Sequence, residues 1–186
     1  ADHFPYRQKE TARGVRRTPF HEHLKAKGAV FGENAGWERA NWYANVGQNN
    51  DYAYSWKRQN WFENAAEEHA KVRTGVGIYD MSSFGKLRVE GRDAEPFLNR
   101  LCGAEMSVPA GTIIYTQFLN QRGGIEADVT VTRLNEIAYL IVTPAATRLA
   151  DETWLRRHIR EEQVIITDVT AGEGVLAVMG PKARDL

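Results

Sequence analysis

The stretch from Tyr115 to Thr132, YTQFLNQRGGIEADVTVT, constrains the fold of this chain more than any other segment. Two runs of β-favouring residues flank a polar turn with adjacent glycines, the signature of an antiparallel hairpin. If Asn120 to Gly123 form a four-residue loop, Leu119 faces Gly124, Gln117 faces Glu126, Tyr115 faces Asp128 and Ile113 faces Thr130. Phe118, Thr116 and Ile114 then meet Ile125, Ala127 and Val129 on the opposite, greasier face. A five-residue loop would shift the pairing by one and put Tyr115 and Asp128 on opposite sides of the sheet.

Elements of similar clarity surround the hairpin. Lys86, Arg88 and Glu90 alternate with Leu87 and Val89, which reads as a half-buried strand. Asp93 heads a helix to about Cys102, with Pro96 tolerated in its first turn. Strands are expected at about 112–119, 125–133 and 137–142, forming an antiparallel meander. A helix opened by Thr143 and Pro144 runs to about His158, and strands follow at 164–169 and 175–179. The fold class is therefore α+β, an antiparallel meander sheet with flanking helices.

Upstream, Thr18 and Pro19 open a short helix ended by Gly28, and Asn60 caps a second helix to about Arg73, with Glu67 and Lys71 paired four residues apart. Residues 1–17 carry Arg7, Lys9, Arg13, Arg16 and Arg17 and read as an extended, solvated arm. Trp37 to Phe62 reads as an irregular aromatic connector. The expected organisation is an arm and linker over 1–59 and a domain over 60–186. The closing residues, from Gly180 and Pro181 to Leu186, read as the opening of another element, so a longer protein is expected.

Composition narrows the chemistry. Lys plus Arg and Asp plus Glu balance at 24 each over 186 residues, which gives no field to gather nucleic acid or anionic lipid. The single cysteine, Cys102, excludes an internal disulfide and a cysteine-based zinc site, and suits a reducing compartment such as the cytoplasm or mitochondrial matrix. No run approaches the roughly 18 apolar residues of a membrane span. His21 and His23, two apart, lack metal-ligand spacing, so no metal is expected. His69 and His158 fall late in helices, Cys102 reads as a small buried residue, and no G-x-G-x-x-G follows a strand. An aromatic ring beside a carboxylate can hold a planar, nitrogen-rich ligand, but the alternation alone leaves open a face that simply meets solvent.

From Gly75 onward, GIYDMSSFGKLRVEGRDAEPFL, YTQFLNQRGGIEADVTV and GPKARDL resemble the folate-binding domain of the glycine-cleavage T-protein (aminomethyltransferase) family. The resemblance implies that Asp128 is the catalytic carboxylate and that Tyr115 lines the folate pocket; Leu87 and Thr130 are the other expected cofactor-binding residues. Ala127 stands where the family usually has a second Asp, Ser82, Ser83 and Phe84 replace its Ser-His-Met, and Pro144 replaces a pocket Asn. TPFHEHLKAKGAVFGENAGWERANWYA from Thr18 is similar to the linker ahead of this domain in dimethylglycine and sarcosine dehydrogenases. That likeness implies a small N-methylated amine substrate and FAD in a domain outside this chain. It also implies capture of the one-carbon unit on tetrahydrofolate as methylene-tetrahydrofolate. Asp128 would then accept the proton released by the attacking amine, with Glu126 as a lesser substitute. A stand-alone folate-dependent aminomethyltransferase and a non-catalytic folate-binding module are the alternatives.

Overall fold

The protein is described from a computed structural model over residues 10–186; Arg7 and Lys9 of the basic arm lie outside the described residues. The elements in order are α1 (His21–Ala26), β1 (Ala29–Asn34), β2 (Trp37–Tyr43), α2 (Phe62–Thr74), β3 (Gly77–Asp80), β4 (Gly85–Glu90), α3 (Ala94–Leu101), β5 (Ile113–Leu119), β6 (Ile125–Asn135), β7 (Ala138–Thr143), α4 (Arg148–Arg157), β8 (Ile165–Asp168) and β9 (Leu176–Met179). Among the described residues they fall into two compact units, one of residues 84–173 and one of residues 10–83 with 174–186. This division does not coincide with the expected break at residue 60, because β9 returns to pair with β3.

The unit over 84–173 holds a five-stranded antiparallel sheet in the order β5, β6, β7, β4, β8. The meander expected from sequence is its first three strands. Alternate residues of each strand, including Leu87, Val89, Phe118, Val129, Val131, Tyr139, Ile141 and Ile166, enter one buried cluster with Phe97, Leu98 and Leu101 of α3 and Leu155 of α4. Both helices therefore cover the same face of the sheet. The spacing Ala94, Phe97, Leu98, Leu101 supplies the apolar stripe of α3. Asp93 precedes that helix, but its carboxylate accepts a hydrogen bond from the Gln163 amide at 2.8 Å instead of capping the first turn. The phenol of Tyr139, fully buried, donates to the Met106 carbonyl at 3.1 Å, so its polar end is satisfied inside the core.

In the other unit β1 and β2 form a hairpin, which corrects the expectation of an irregular connector from Trp37. Ala35 and Gly36, at φ 52° and 83°, make its two-residue turn. The alternation of β2 was hidden because one of its two buried positions is a glutamate: Glu38 and Trp42 are the residues it buries. Arg13 makes that burial tolerable, donating from Nε and Nη2 to the two Glu38 oxygens at 2.7 Å each. The pair holds the Glu38 carboxyl below its ordinary range. The described part of the basic arm is exposed, as expected, and is anchored at Arg13. Tyr52, Tyr54 and Trp61 stack and pack edge-on against one another, and Trp61 also stacks on Trp42.

Two helix starts also differ from expectation. The Thr18 hydroxyl is bonded to Asp80, and the Asn60 amide to the carbonyl of Asp51 at 2.8 Å, so neither side chain caps a helix. The Glu67–Lys71 pair forms as expected, at 2.7 Å. No helix among the described residues is long and apolar enough to cross a membrane.

Candidate functional site

The face of the five-stranded sheet turned away from α3 and α4 carries the residues of interest, and the β5–β6 pairing decides which of them meet. The loop spans Asn120 to Gly124, five residues, with Leu119 opposite Ile125. A bulge then adds one residue to β6, so Phe118 pairs with Ala127, Gln117 with Asp128 and Tyr115 with Thr130. Loop and bulge each displace the register by one. The total of two restores the parity that a longer loop alone would have broken. Tyr115 and Asp128 consequently share a face, as diagonal neighbours and not as the direct pair expected from sequence.

Asn120 builds this turn. Its Oδ1 accepts from the amides of Arg122 and Gly124 at 2.9 Å each, and its Nδ2 donates to Glu126 at 2.7 Å. Gly123 sits at φ 77°, a conformation that favours glycine. Glu126, at the bulge, lines a cleft with Trp154 and His158. It is thereby withdrawn from the role of substitute for Asp128.

On the open face the Tyr115 phenol donates to Asp128 Oδ2 at 3.2 Å, and both side chains are exposed, Tyr115 to 64%. Thr130 stands directly across from Tyr115. The row continues over β7 at Val142 to Lys86 on β4, roughly 14 Å from Tyr115 at three strand spacings. Lys86 is 1% exposed and donates from Nζ to the Phe84 carbonyl at 3.0 Å. Leu87 does not belong to this surface. It points the other way and is wholly buried in the core, because adjacent strand residues face opposite sides. It supports the sheet from beneath and cannot line a pocket on the open face.

Sequence reasoning missed Gln117 and Lys86. Lys86 was visible in the β4 alternation, but only the register places it in one row with Tyr115 and Thr130. The remaining nucleophile, Cys102, lies beside Phe118, and burial pushes its thiol up to about 12, which disfavours the reactive thiolate. The His158 ring packs at a tilt against Trp154, 4.0 Å between centroids, and bonds the Trp154 carbonyl through Nδ1 at 2.7 Å, a structural role.

What the open face offers is a hydroxylated aromatic ring fixed to a carboxylate, with a threonine and a glutamine alongside. A planar ligand can lie on the ring while an N–H or cationic nitrogen meets the carboxylate.

Sheet and helices make an α+β fold, and residues 20–186 match the GCVT N-terminal domain, so the chain belongs to that family. It is 45% identical over its full length to 4-methylaminobutanoate oxidase (formaldehyde-forming) of Paenarthrobacter nicotinovorans, and 34% identical over 97% of its length to human mitochondrial sarcosine dehydrogenase. It spans 23% and 24% of those two proteins. The crystal structure of the glycine cleavage system aminomethyltransferase T from Bartonella henselae superposes with a TM-score of 0.76 at 26% identity, over 92% of this chain and 42% of that one.

Proposed function

We propose that this chain is the linker and the first part of the folate-binding domain of a longer N-methylamino-acid oxidase or dehydrogenase of the dimethylglycine and sarcosine dehydrogenase kind. In this reading FAD and the oxidation of a small N-methylated amine belong to a domain outside these residues. The folate domain captures the one-carbon unit as methylene-tetrahydrofolate. The observation that carries the reading is the Tyr115–Asp128 hydrogen bond on the open polar face of the sheet, in a chain whose relatives are named as an oxidase and a dehydrogenase of methylated amines.

Tetrahydrofolate, when bound, supplies the amine nitrogen that takes up the one-carbon unit. The residues present suit it: Tyr115 offers a ring face, Thr130 a hydroxyl, and Asp128 an acceptor. Asp128 would accept the proton that the bound amine loses and would favour positive charge beside it. Tyr115, donating to Oδ2, fixes the carboxylate's orientation and leaves Oδ1 free to act. The cytoplasm or a mitochondrial matrix is the proposed location, matching the human relative's description as mitochondrial.

Direct titration of the full-length protein with tetrahydrofolate under anaerobic conditions tests the reading. Wild type should bind, and Tyr115→Phe, which releases the Asp128 carboxylate from its phenol partner, should weaken binding about fivefold. Absence of binding by the wild type would remove the proposal. A stand-alone aminomethyltransferase is the second reading, favoured by the superposition on the Bartonella enzyme. Amine-dependent flavin reduction by the full-length protein would reject it.

A further inference from the structure

One end of the five-stranded unit carries a cleft of about 510 Å³, where the β5–β6 turn approaches the C-terminal ends of α3 and α4. It lies wholly within residues 84–173, and Tyr115, Asp128 and Thr130 are not among its walls. Arg100, Arg122 and Arg160 line it, with Trp154, His158 and a single carboxylate, Glu126.

Most acceptors of this cleft are engaged inside the protein. Asn120 Oδ1 takes the Arg122 and Gly124 amides, and Glu126 takes Asn120 Nδ2. The carbonyls of Trp154 and His158 take His158 Nδ1 and Arg100 Nη2. Arg100 is thereby accounted for, since it ties α3 to the end of α4 and pairs with Glu162. Arg122 and Arg160 are not. Arg122 stands on the turn and Arg160 beyond α4, so neither serves a helix dipole, and among the described residues neither guanidinium has a partner. The Trp154 indole N–H is also buried without a hydrogen-bond partner.

The cleft therefore holds a surplus of donors: two permanently charged guanidiniums and an indole N–H, none of which can accept. Only an acceptor-rich ligand complements such a surplus. A guanidinium meets carboxylate or phosphate oxygens through two parallel N–H bonds, so two unpaired guanidiniums in one cleft suit a ligand with two negative charges. The volume falls within the range of small-molecule sites, about 300–1,000 Å³.

We propose that this cleft is a separate binding site for a small organic dianion, a phosphate ester or a dicarboxylate, whose anionic groups engage Arg122 and Arg160. It lies apart from the surface proposed for folate, and neither assignment depends on the other.

The test is calorimetric titration of the full-length protein with pyrophosphate and, separately, with succinate, at a constant ionic strength of about 0.15 M. At least one should bind saturably, and the tighter of the two identifies the anionic group. Arg122→Gln and Arg160→Gln should each raise its Kd about 10-fold or more, the loss of a charge-assisted bond. Arg157→Gln removes the same charge from the exposed surface of α4 outside the cleft and should leave Kd within about twofold. Equal weakening in all three variants would reveal general attraction for charge and overturn the site, as would a wild type that binds neither anion. A parallel loss of tetrahydrofolate binding in the two cleft variants would overturn its separateness from the open face. Thermal unfolding confirms that each variant folds, and either cleft variant decides if the other does not.

Discussion

At the scale of single residues, charge is placed where it is neutralised. Glu162 accepts from the Arg160 amide at 2.7 Å and from Arg100 Nε at 3.1 Å. The amide first, then the guanidinium, hold its carboxyl at about 2. The folded-state value is depressed, so the stabilisation is complete above the ordinary glutamate value near 4.3 and is lost as pH falls from there through about 2. Glu162→Gln should cost about 1 kcal/mol at neutral pH, allowing for solvent screening, and its melting temperature should converge on that of wild type near pH 2. Thermal melts from pH 7 to pH 2 check this; a constant gap across the range would show that the ion pair contributes nothing. None of these pairings was legible in the sequence, because Arg100 and Glu162 meet only once α3 and the segment after α4 share one face of the sheet.

At the scale of elements, the alternation of β4 through β7 was readable because each strand buries one apolar face under two helices. Two features escaped for physical reasons. β2 buries a glutamate, so its alternation does not look apolar. The bulge in β6 leaves no compositional mark, since Glu126 and Ala127 are ordinary strand residues. The outcome for the site is instructive: Tyr115 and Asp128 were placed on one face for the wrong register, and parity survived because two single-residue displacements add. Leu87 is one residue out of step with Lys86 and Arg88 and therefore belongs to the core face. Glycine supplies a separate test of element packing. Gly91 has φ 147°, and a Cβ there would fall 2.0 Å from the Gln163 carbonyl oxygen. Gly91→Ala should therefore destabilise by about 3 kcal/mol, since backbone, not a movable side chain, stands in the way. Urea unfolding reads this directly, and a loss below about 1 kcal/mol would mean that the turn after β4 is looser than described.

At the scale of the whole molecule, the chain carries about a quarter of the length of the relatives it matches. The β3–β9 ribbon, with only two strands, exposes Ile78, Leu176, Val178 and Met179. A two-stranded sheet with open edges and apolar side chains is a template for association. These 186 residues alone should self-associate at micromolar concentration, and Ile78→Lys with Val178→Lys, which face each other across the ribbon, should suppress it. Sedimentation velocity would show this, and a concentration-independent monomer would contradict it.

The central claim concerns Asp128, and its most direct measurement is made on the full-length protein with both half-reactions followed. Asp128→Asn keeps the side chain's size and its bond from Tyr115 but removes the proton acceptor. Production of methylene-tetrahydrofolate should fall about 100- to 10,000-fold, while reduction of the flavin by the N-methyl amine persists and the one-carbon unit leaves as formaldehyde. Undiminished methylene-tetrahydrofolate from Asp128→Asn would contradict the assignment of Asp128 as the base.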